Sequence, residues 1–165
     1  MQKIYLVSDT HFNHENIIKY CNRPFKDVHE MNEVIIKNWN SLIKENDIVY
    51  HLGDFGFGTK EELKIIFNKL NGKKYLIMGN HDKRFGKKFY KELGFMEVYK
   101  EYQIGNILLT HHPKEVLDLF NFYGHIHDKE ESFDFKDNKH RCICLEKTNY
   151  MPVEIEVEDD LYNRG

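Results

Sequence analysis

The sequence predicts one α/β domain with two packed β-sheets and flanking helices. Three observations lead to this prediction: strand and helix patterns alternate in the first half, strand patterns dominate the second half, and no repeat, low-complexity segment or linker interrupts the chain. A chain of 165 residues has about the size of one domain and buries roughly 70% of its unfolded surface, so a core can form without disulfides. We therefore expect a single domain over residues 1–165.

Short apolar runs predict the first strands. They are IYLV (4–7), DIVYHL (47–52) and YLIM (75–78). Continuous apolar runs of this length are typical of strands that are covered on both faces. Each run therefore predicts a buried strand.

Two amphipathic helices are predicted between these strands. The first opens at Asp27, which is followed by Glu30, and its apolar stripe comprises Val28, Met31, Ile35, Trp39 and Leu42. The second opens with a capping box at Thr59 and Glu62 and closes at Asn71-Gly72. Its stripe comprises Leu63, Ile66, Phe67 and Leu70. Both stripes are interpreted as core.

The second half of the chain has mainly strand patterns. EVYKEYQI (97–104), a Gly-Asn pair and ILLTH (107–111) predict a hairpin. RCICLE (141–146) and VEIEVE (153–158) predict further strands. Late strands following early helices favour two packed sheets.

Charge and composition argue against several partners. The chain has 24 Lys+Arg and 27 Asp+Glu, so it offers neither an extended basic groove for nucleic acid nor a polybasic tract for a membrane. The start, MQKIYLVSD, is too short in apolar residues for a signal peptide, and we expect a cytoplasmic location. Cys21, Cys142 and Cys144 lack C-x-x-C spacing and are interpreted as core or surface thiols. The oligomeric state is not predicted.

Metal-binding side chains follow five apolar runs, each at its carboxyl end. They are Asp9 with His11, Asp54, Asn80, His111, and His125 with His127. Ligands of open α/β sheets bind at this edge, where loops from neighbouring strands converge. Members of each pair are two residues apart, so both point the same way if the extended backbone continues.

These seven donors comprise two carboxylates, one amide and four imidazoles. They are too many for one tetrahedral ion and suit two divalent ions that share a carboxylate. Manganese is favoured, and iron, zinc, nickel or cobalt would also fit such mixed donors.

Each donor also has an ordinary interpretation. Asp9 and Asp54 could be N-caps, Asn80 a turn residue and His111 a partly buried histidine. Independent caps and turns give no reason for metal-binding side chains at all five strand ends, so the metal site is favoured. The remaining histidines are interpreted as ordinary polar residues: His14, His29, His51, His112 and His140.

The ordered motifs resemble a known family. D-x-H (9–11), G-D (53–54), G-N-H-D (79–82), a histidine at 111 and G-H-x-H (124–127) are similar to the calcineurin-like metallophosphoesterase superfamily, in a small stand-alone form of bacterial or phage type. The resemblance implies an αββα sandwich of two mixed sheets flanked by helices.

The resemblance also implies how the metals are held. The first would be bound by Asp9, His11, Asp54 and His127. The second would be bound by Asp54, Asn80, His111 and His125. Asp54 would bridge the two metals, and His112 has no assigned role.

Departures from the family pattern argue against two branches of the family. The branch that acts on phosphoserine and phosphothreonine carries G-D-x-x-D-R-G, whereas this chain has GDFGFG. The nuclease branch adds a cap and a basic groove, but only 12 residues separate His111 from Gly124. We therefore expect no cap domain and an open site for a small phosphate ester.

The expected chemistry follows from charge. Two divalent ions and two carboxylates leave a site near +2, which attracts phosphate and lowers the pKa of a bridging water, so the expected nucleophile is a metal-bridging hydroxide. His81 is the candidate proton donor to the leaving group. Asp82 either orients His81 or caps the next segment.

Three further residues are weaker candidates for phosphate contacts. They are His14, Arg23 and Asn40, which could equally be solvated polar residues. Hydrolysis of a phosphodiester is favoured. The alternatives are a phosphomonoesterase for a small phosphorylated metabolite and a metal-binding scaffold without activity.

Overall fold

A computed structural model describes residues 2–129 and 139–157. In chain order the elements are β1 (Ile4–Val7), α1 (Asn16–Tyr20), α2 (Val28–Leu42), β2 (Ile48–His51), α3 (Lys60–Lys69), β3 (Lys73–Ile77), α4 (Gly86–Leu93), β4 (Val98–Tyr99), β5 (Tyr102–Ile104), β6 (Ile107–Leu109), β7 (Phe120–Tyr123), β8 (His140–Cys142) and β9 (Val153–Ile155). Short 3₁₀ turns lie at Asp82–Arg84 and Leu145–Lys147.

The first sheet has the strand order β4-β3-β2-β1-β9. Its strands β1 to β4 are parallel, and β9 runs antiparallel to β1. The three apolar runs near residues 4, 47 and 75 form β1, β2 and β3, as predicted. Because these neighbours are parallel, their carboxyl ends meet at one edge of the sheet.

The second sheet has the order β5-β6-β7-β8. Strands β5 and β6 form the predicted hairpin, with Ile104 opposite Ile107 across Gly105-Asn106. Strands β6, β7 and β8 are parallel. The run EVYKEYQI does not form one strand, because Val98–Tyr99 pairs with β3 while Tyr102–Ile104 pairs with β6.

Both late strands are shorter than their sequence runs. RCICLE contributes Arg141 and Cys142 to β8 and then turns into the 3₁₀ segment. VEIEVE forms β9 over Val153–Ile155, and its last residue, Glu158, lies outside the described residues.

Two large apolar cores separate the helices and the two sheets, and a third, smaller cluster comprises Tyr123, Ile126, Cys142 and Cys144. Alternate residues of β1, such as Tyr5 and Val7, face the core that contains the apolar stripes of the helices. Leu6 faces the other core, which lies between the two sheets and includes Ile107 and Leu109. The predicted sandwich of two mixed sheets with helices is confirmed. All four α-helices of the described ranges contribute to the core on the outer face of the first sheet.

The predicted helix starts are confirmed. The Asp27 carboxylate accepts a hydrogen bond from Glu30 N at 2.8 Å, and the Thr59 hydroxyl accepts one from Glu62 N at 3.2 Å. Met31, Ile35 and Trp39 are buried, as the stripe predicts, whereas Leu42, at the last residue of the helix, is 39% exposed and does not belong to the core. These bonds satisfy N–H groups that the first helical turn leaves open.

The three cysteines are buried and free. Within the described ranges, no helix is long and apolar enough to cross a bilayer. The expectation of one domain over residues 1–165 extends beyond the described residues and stays a prediction.

Candidate metal centre

The seven predicted donors converge at the carboxyl ends of five strands. Asp9 and His11 follow β1, Asp54 follows β2 and Asn80 follows β3, all in the first sheet. His111 follows β6, and the histidines at 125 and 127 follow β7, in the second sheet. Packing of the two sheets brings both sets of loops together.

The first cluster of donors surrounds His11 Nε2. This atom lies 3.7 Å from Asp9 Oδ1 and 3.6 Å from Asp54 Oδ2. His127 Nε2 lies 3.4 Å from Asp9 Oδ1. Asp9, His11 and His127 together form a group that could hold a metal ion.

The second cluster surrounds His111 Nε2. It lies 3.4 Å from Asp54 Oδ2 and 2.9 Å from Asn80 Oδ1. His125 Nδ1 lies 3.2 Å from the same amide oxygen. Asp54 Oδ2 is therefore close to a histidine of each cluster, which is the position a bridging carboxylate needs.

Each carboxylate is held through one oxygen while the other faces the histidines. Asp9 Oδ2 accepts hydrogen bonds from the Ser8 hydroxyl, from His125 N at 3.0 Å and from the Cys144 thiol at 3.4 Å. Asp54 Oδ1 accepts one from His81 N at 3.0 Å. Asp9 Oδ1 and Asp54 Oδ2 are left to face the clusters.

This arrangement fits a cation. Asp9 Oδ1 and His11 Nε2 are buried without a hydrogen-bond partner among the described residues, and such buried polar groups are costly unless something binds them. Two ligands held about 2.1 Å from a tetrahedral ion lie roughly 3.4 Å apart. The carboxylate-to-imidazole separations of 3.4–3.7 Å are close to this value.

Two of the histidines are oriented through their second ring nitrogen. His111 Nδ1–H donates to the Leu52 carbonyl at 2.7 Å, and His127 Nδ1–H donates to Glu146 Oε2 at 3.0 Å. Each bond orients the ring so that Nε2 faces the cluster and can bind a cation once that nitrogen has lost its proton. Metal-binding histidines are commonly fixed by bonds of this kind.

Glycines in the motifs make room for carboxylates from other strands. A Cβ on Gly79 would collide with the Asp54 carboxylate, and one on Gly124 would collide with Asp9 and Ser8. Gly53 has φ of 111°, a backbone conformation that favours glycine, and packs against the His111 ring. The glycines that precede Asp54, Asn80 and His125 thus allow a close approach between loops.

The backbone at the paired ligands is not extended. Positive φ angles occur at five of the seven donors: Asp9 (56°), His11 (49°), Asp54 (59°), His125 (72°) and His127 (56°). The extended backbone on which the expectation for D-x-H and H-x-H depended therefore does not continue through these pairs. Left-handed backbone costs roughly 1–2 kcal/mol per residue, and such strain is retained where the surrounding structure fixes it, often at functional sites.

The histidines and carboxylates shift one another's pKa values. Burial opposes ionisation of Asp9, but His11, His111 and His127 hold its pKa well below the ordinary value. Burial opposes protonation of His111, but Asp54 and Asp9 raise its pKa to about 9.

The same balance holds at His127. Burial lowers its pKa, but Cys21, Glu146 and Asp9 raise it to about 10. Protons therefore compensate the buried carboxylates, and a bound cation would replace them.

Glu146 is a site residue that the sequence did not reveal. Its Oε2 accepts from both His127 and Arg23 Nε, the latter at 2.8 Å. Arg23 also donates to the carbonyls of Asp9 at 2.6 Å and Thr10 at 3.0 Å. Glu146 belongs to the RCICLE run, where nothing in the pattern marks it as polar support for a histidine.

The position of Arg23 differs from the one predicted for it. It is predicted as a weak phosphate contact, but its side chain is buried and donates hydrogen bonds to Glu146 and to the carbonyls of Asp9 and Thr10. Asn40 stays a prediction as a phosphate contact; its side chain bonds Lys69 O at 2.7 Å and Asn71 N at 2.9 Å. Asn40 thus ties α2 to the end of α3.

Asp82 has neither of its two predicted roles. Its carboxylate accepts from Asp54 N at 2.7 Å, Gly79 N at 2.8 Å and Phe55 N at 3.1 Å. His81, not Asp82, occupies the cap position of the 3₁₀ turn. Burial and the charge of Asp54 raise the pKa of Asp82 to about 6. Asp82 therefore fixes the loops that carry Asp54 and Asn80.

His81 and His14 lie at the rim. The His81 side chain is exposed, and its ring centroid lies 5.5 Å from that of His11 and 5.4 Å from that of Phe57. His14 Nδ1 lies 3.1 Å from His11 Nδ1, and its ring lies 4.2 Å from Phe57. Both residues stand beside the first cluster, as a proton donor or substrate contact must.

Two other histidines, His112 and His51, differ in their exposure. His112 is exposed, with its ring 4.1 Å from that of His125, so it borders the second cluster. His51 is buried: its Nδ1 accepts from Gly53 N at 3.0 Å, so its Nε2–H donates to Thr10 Oγ1 at 2.9 Å. Burial lowers the pKa of His51 to about 3, and it serves the loops as a neutral histidine.

The chain is similar to several known proteins. A family model for calcineurin-like phosphoesterases matches residues 2–163. An uncharacterized protein of Methanocaldococcus jannaschii is 42% identical over 175 aligned residues, which cover 100% of this chain and 94% of that protein. The gene 66 protein of Mycobacterium phage L5 is 33% identical over 85 residues, or 50% of this chain and 41% of its own length.

Solved structures show the same architecture. A protein of unknown function from Aquifex aeolicus matches with a TM-score of 0.75 and 30% identity, covering 100% of both chains. The nuclease MPE of Pseudomonas putida matches with a TM-score of 0.54 and 19% identity over 75% of this chain and 60% of the nuclease. At that identity the likeness to the nuclease concerns the fold alone.

Proposed function

The chain belongs to the calcineurin-like phosphoesterase family, and we propose that it is a hydrolase that uses two divalent ions to cleave a phosphodiester. The observation that carries the proposal is the position of Asp54 Oδ2, which lies 3.6 Å from His11 Nε2 and 3.4 Å from His111 Nε2. One carboxylate oxygen between two histidine clusters is the arrangement expected of a dinuclear site.

Each ion would have four protein ligands. The first would be held by Asp9, His11, Asp54 and His127, and the second by Asp54, Asn80, His111 and His125. Manganese is the first choice because oxygen donors from carboxylate and amide accompany the imidazoles; iron, zinc, nickel and cobalt remain compatible. When bound, the ions would supply positive charge for the phosphate and lower the pKa of a coordinated water.

His81 is proposed as the proton donor to the leaving oxygen. Its backbone N–H is fixed on Asp54 Oδ1, while its exposed ring stands beside the first cluster. The ring is thus anchored at the backbone and can face a substrate from the solvent side. A positioned imidazole is a common general acid near neutral pH.

A diester is favoured over a monoester because of charge. A monoester carries up to two negative charges near neutral pH, which a cationic side chain in contact with the scissile phosphate would have to balance. Arg23, the arginine expected near the phosphate, is instead buried behind Asp9 and bound to Glu146. A diester carries one negative charge, so it needs less positive charge beyond that of the two ions.

The test compares two nitrophenyl esters on protein loaded with manganese. We expect two ions per chain and a kcat/KM for bis(4-nitrophenyl) phosphate at least about tenfold above that for 4-nitrophenyl phosphate, a difference of about 1.4 kcal/mol. The reverse preference would indicate the phosphomonoesterase alternative. Two bound ions with no turnover of either ester would indicate a metal-binding scaffold.

A further inference from the structure

A cavity of about 500 Å³ opens beside the second cluster. Asn80 and His111, two proposed ligands of the second ion, line it. Lys83, Lys100 and His112 line it as well, and the His112 ring lies 4.1 Å from that of His125. The volume lies within the range of roughly 300–1,000 Å³ that is typical of small-molecule sites. A group attached to the scissile phosphate would enter this cavity.

The cavity has a surplus of positive charge. Three lysines and one acidic residue line it, and Lys114 pairs with that acid, Glu101, at 3.0 Å. Lys83 and Lys100 have no acidic partner within residues 2–129 and 139–157, and both side chains are exposed. Two uncompensated ammonium groups beside a cationic metal centre would attract a second anionic group.

The other residues that line the cavity would also bind a flat apolar group. Met78 and Pro113 add half-buried apolar surface, and the exposed His112 ring stands at the side next to His125. Flat rings pack on such surfaces. The combination of ammonium groups and apolar surface matches a phosphorylated nucleoside better than a simple inorganic anion.

We propose that this cavity binds a second phosphate of the substrate, one nucleoside away from the scissile phosphate, with Lys83 and Lys100 as its counter-ions. The inference rests on the proposed function and assigns its substrate class: a nucleotide phosphodiester that carries a neighbouring phosphate. Flexible lysines read phosphate rather than base edges, so the identity of the base has little influence.

Calorimetry on manganese-loaded protein tests the inference with three probes. They are thymidine 3′,5′-bisphosphate and the two thymidine monophosphates, 5′ and 3′. We expect the bisphosphate to bind at least about tenfold more tightly than either monophosphate. In the double variant Lys83→Ala/Lys100→Ala, this advantage falls below about threefold. Added salt weakens the advantage in the wild type, because exposed charges are screened.

A matched control separates local from overall charge. The double variant Lys87→Ala/Lys88→Ala removes the same charge from α4, where the two lysines pair with Glu97 and Glu92. It should keep the full advantage of the bisphosphate. Equal binding of the three probes to the wild type, an advantage that survives in Lys83→Ala/Lys100→Ala, or equal loss in both double variants would each overturn the inference.

Hydrolysis of bis(4-nitrophenyl) phosphate distinguishes the two levels of failure. If the wild type hydrolyses this ester but shows no preference for the bisphosphate, only the inferred substrate class is wrong. If the protein binds two ions and hydrolyses no ester, the proposed function fails, whatever the calorimetry shows.

Discussion

Two aspartates that look alike in the sequence serve the two regions of the molecule differently. Asp27 accepts a hydrogen bond from Glu30 N, three residues away, and starts α2. Asp54 accepts one from His81 N, which follows a different strand, and turns its other oxygen toward two histidines. The helical region follows capping and periodicity patterns that depend on residues close together in the chain. The metal centre departs from such patterns, because its carboxylates are buried and its backbone is left-handed. Patterns of this local kind are expected to fail mainly at functional sites.

The largest effect is expected from Asp54→Asn. Loss of the shared carboxylate should lower occupancy at both metal positions and reduce kcat/KM on a diester by about 10⁴-fold, since metal-based charge stabilisation is worth several kcal/mol. Metal analysis and kinetics measure both effects. His11→Ala should mainly empty one position, and equal loss from both positions in that variant would contradict the proposed ligand sets.

His81→Ala separates chemistry from metal binding within the site. We expect a loss of about 10²–10⁴-fold for esters with an alkoxide leaving group, the usual range for a general acid. Bis(4-nitrophenyl) phosphate should lose much less, because nitrophenolate needs little protonation, and the metal content should not change. The same loss on every ester would mean that His81 stabilises charge on the phosphoryl group instead.

Proton release on metal binding tests the electrostatics of the site. With pKa values of about 9 for His111 and about 10 for His127, both imidazoles are protonated at pH 7 and must lose their protons to bind a cation. Metal affinity should therefore fall as the pH is lowered from about 9, with about two protons released at pH 7. Calorimetry in buffers of different ionisation enthalpy counts them, and a count near zero would show that the histidines are already neutral.

Glu146→Gln probes support for a ligand rather than a ligand itself. Loss of the carboxylate that holds His127 Nδ1–H should weaken metal binding about 10–100-fold, the usual effect of removing such a partner. The first position should be affected and the second should not. Glu156→Gln, at an exposed position directly after β9, is the matched control. A variant that loses folded stability but binds metal normally would make Glu146 purely structural.

The smallest effect is expected at the other aspartate of the comparison. Asp27→Ala removes the N-cap of α2 and should cost about 1 kcal/mol of unfolding free energy. Urea denaturation measures this loss, while metal content and kcat/KM should stay at wild-type values. Metal loss in Asp27→Ala would show that the helical region and the metal centre are not separable.

The features that could be predicted from the sequence are those that depend on local patterns. The caps at Asp27 and Thr59 and the strands β1 to β3 could be predicted because each depends on residues close together in the chain. The convergence of the donors could also be predicted, since parallel strands bring their carboxyl ends to one edge. Both predictions use short-range patterns and one general rule of topology.

Other features of the site could not be predicted from such patterns. The pair between Arg23 and Glu146 joins residues 123 positions apart, and no local signal indicates it. Asp82 follows a ligand motif directly, yet its carboxylate is used by backbone N–H groups of two loops. The left-handed backbone at the ligands arises because both sheets must direct side chains to one point. These features depend on tertiary packing, which competes with local preference.

The left-handed backbone of the ligand loops has an evolutionary consequence. Asparagine, aspartate and histidine are the residues, apart from glycine, that adopt positive φ most readily, and they are also the residue types of the proposed ligands. Exchange of Asp9 or Asp54 for asparagine would remove a charge while the loop keeps its shape. Descendants of such a chain could thus lose their ions one substitution at a time and keep a folded surface, open to selection for binding without catalysis.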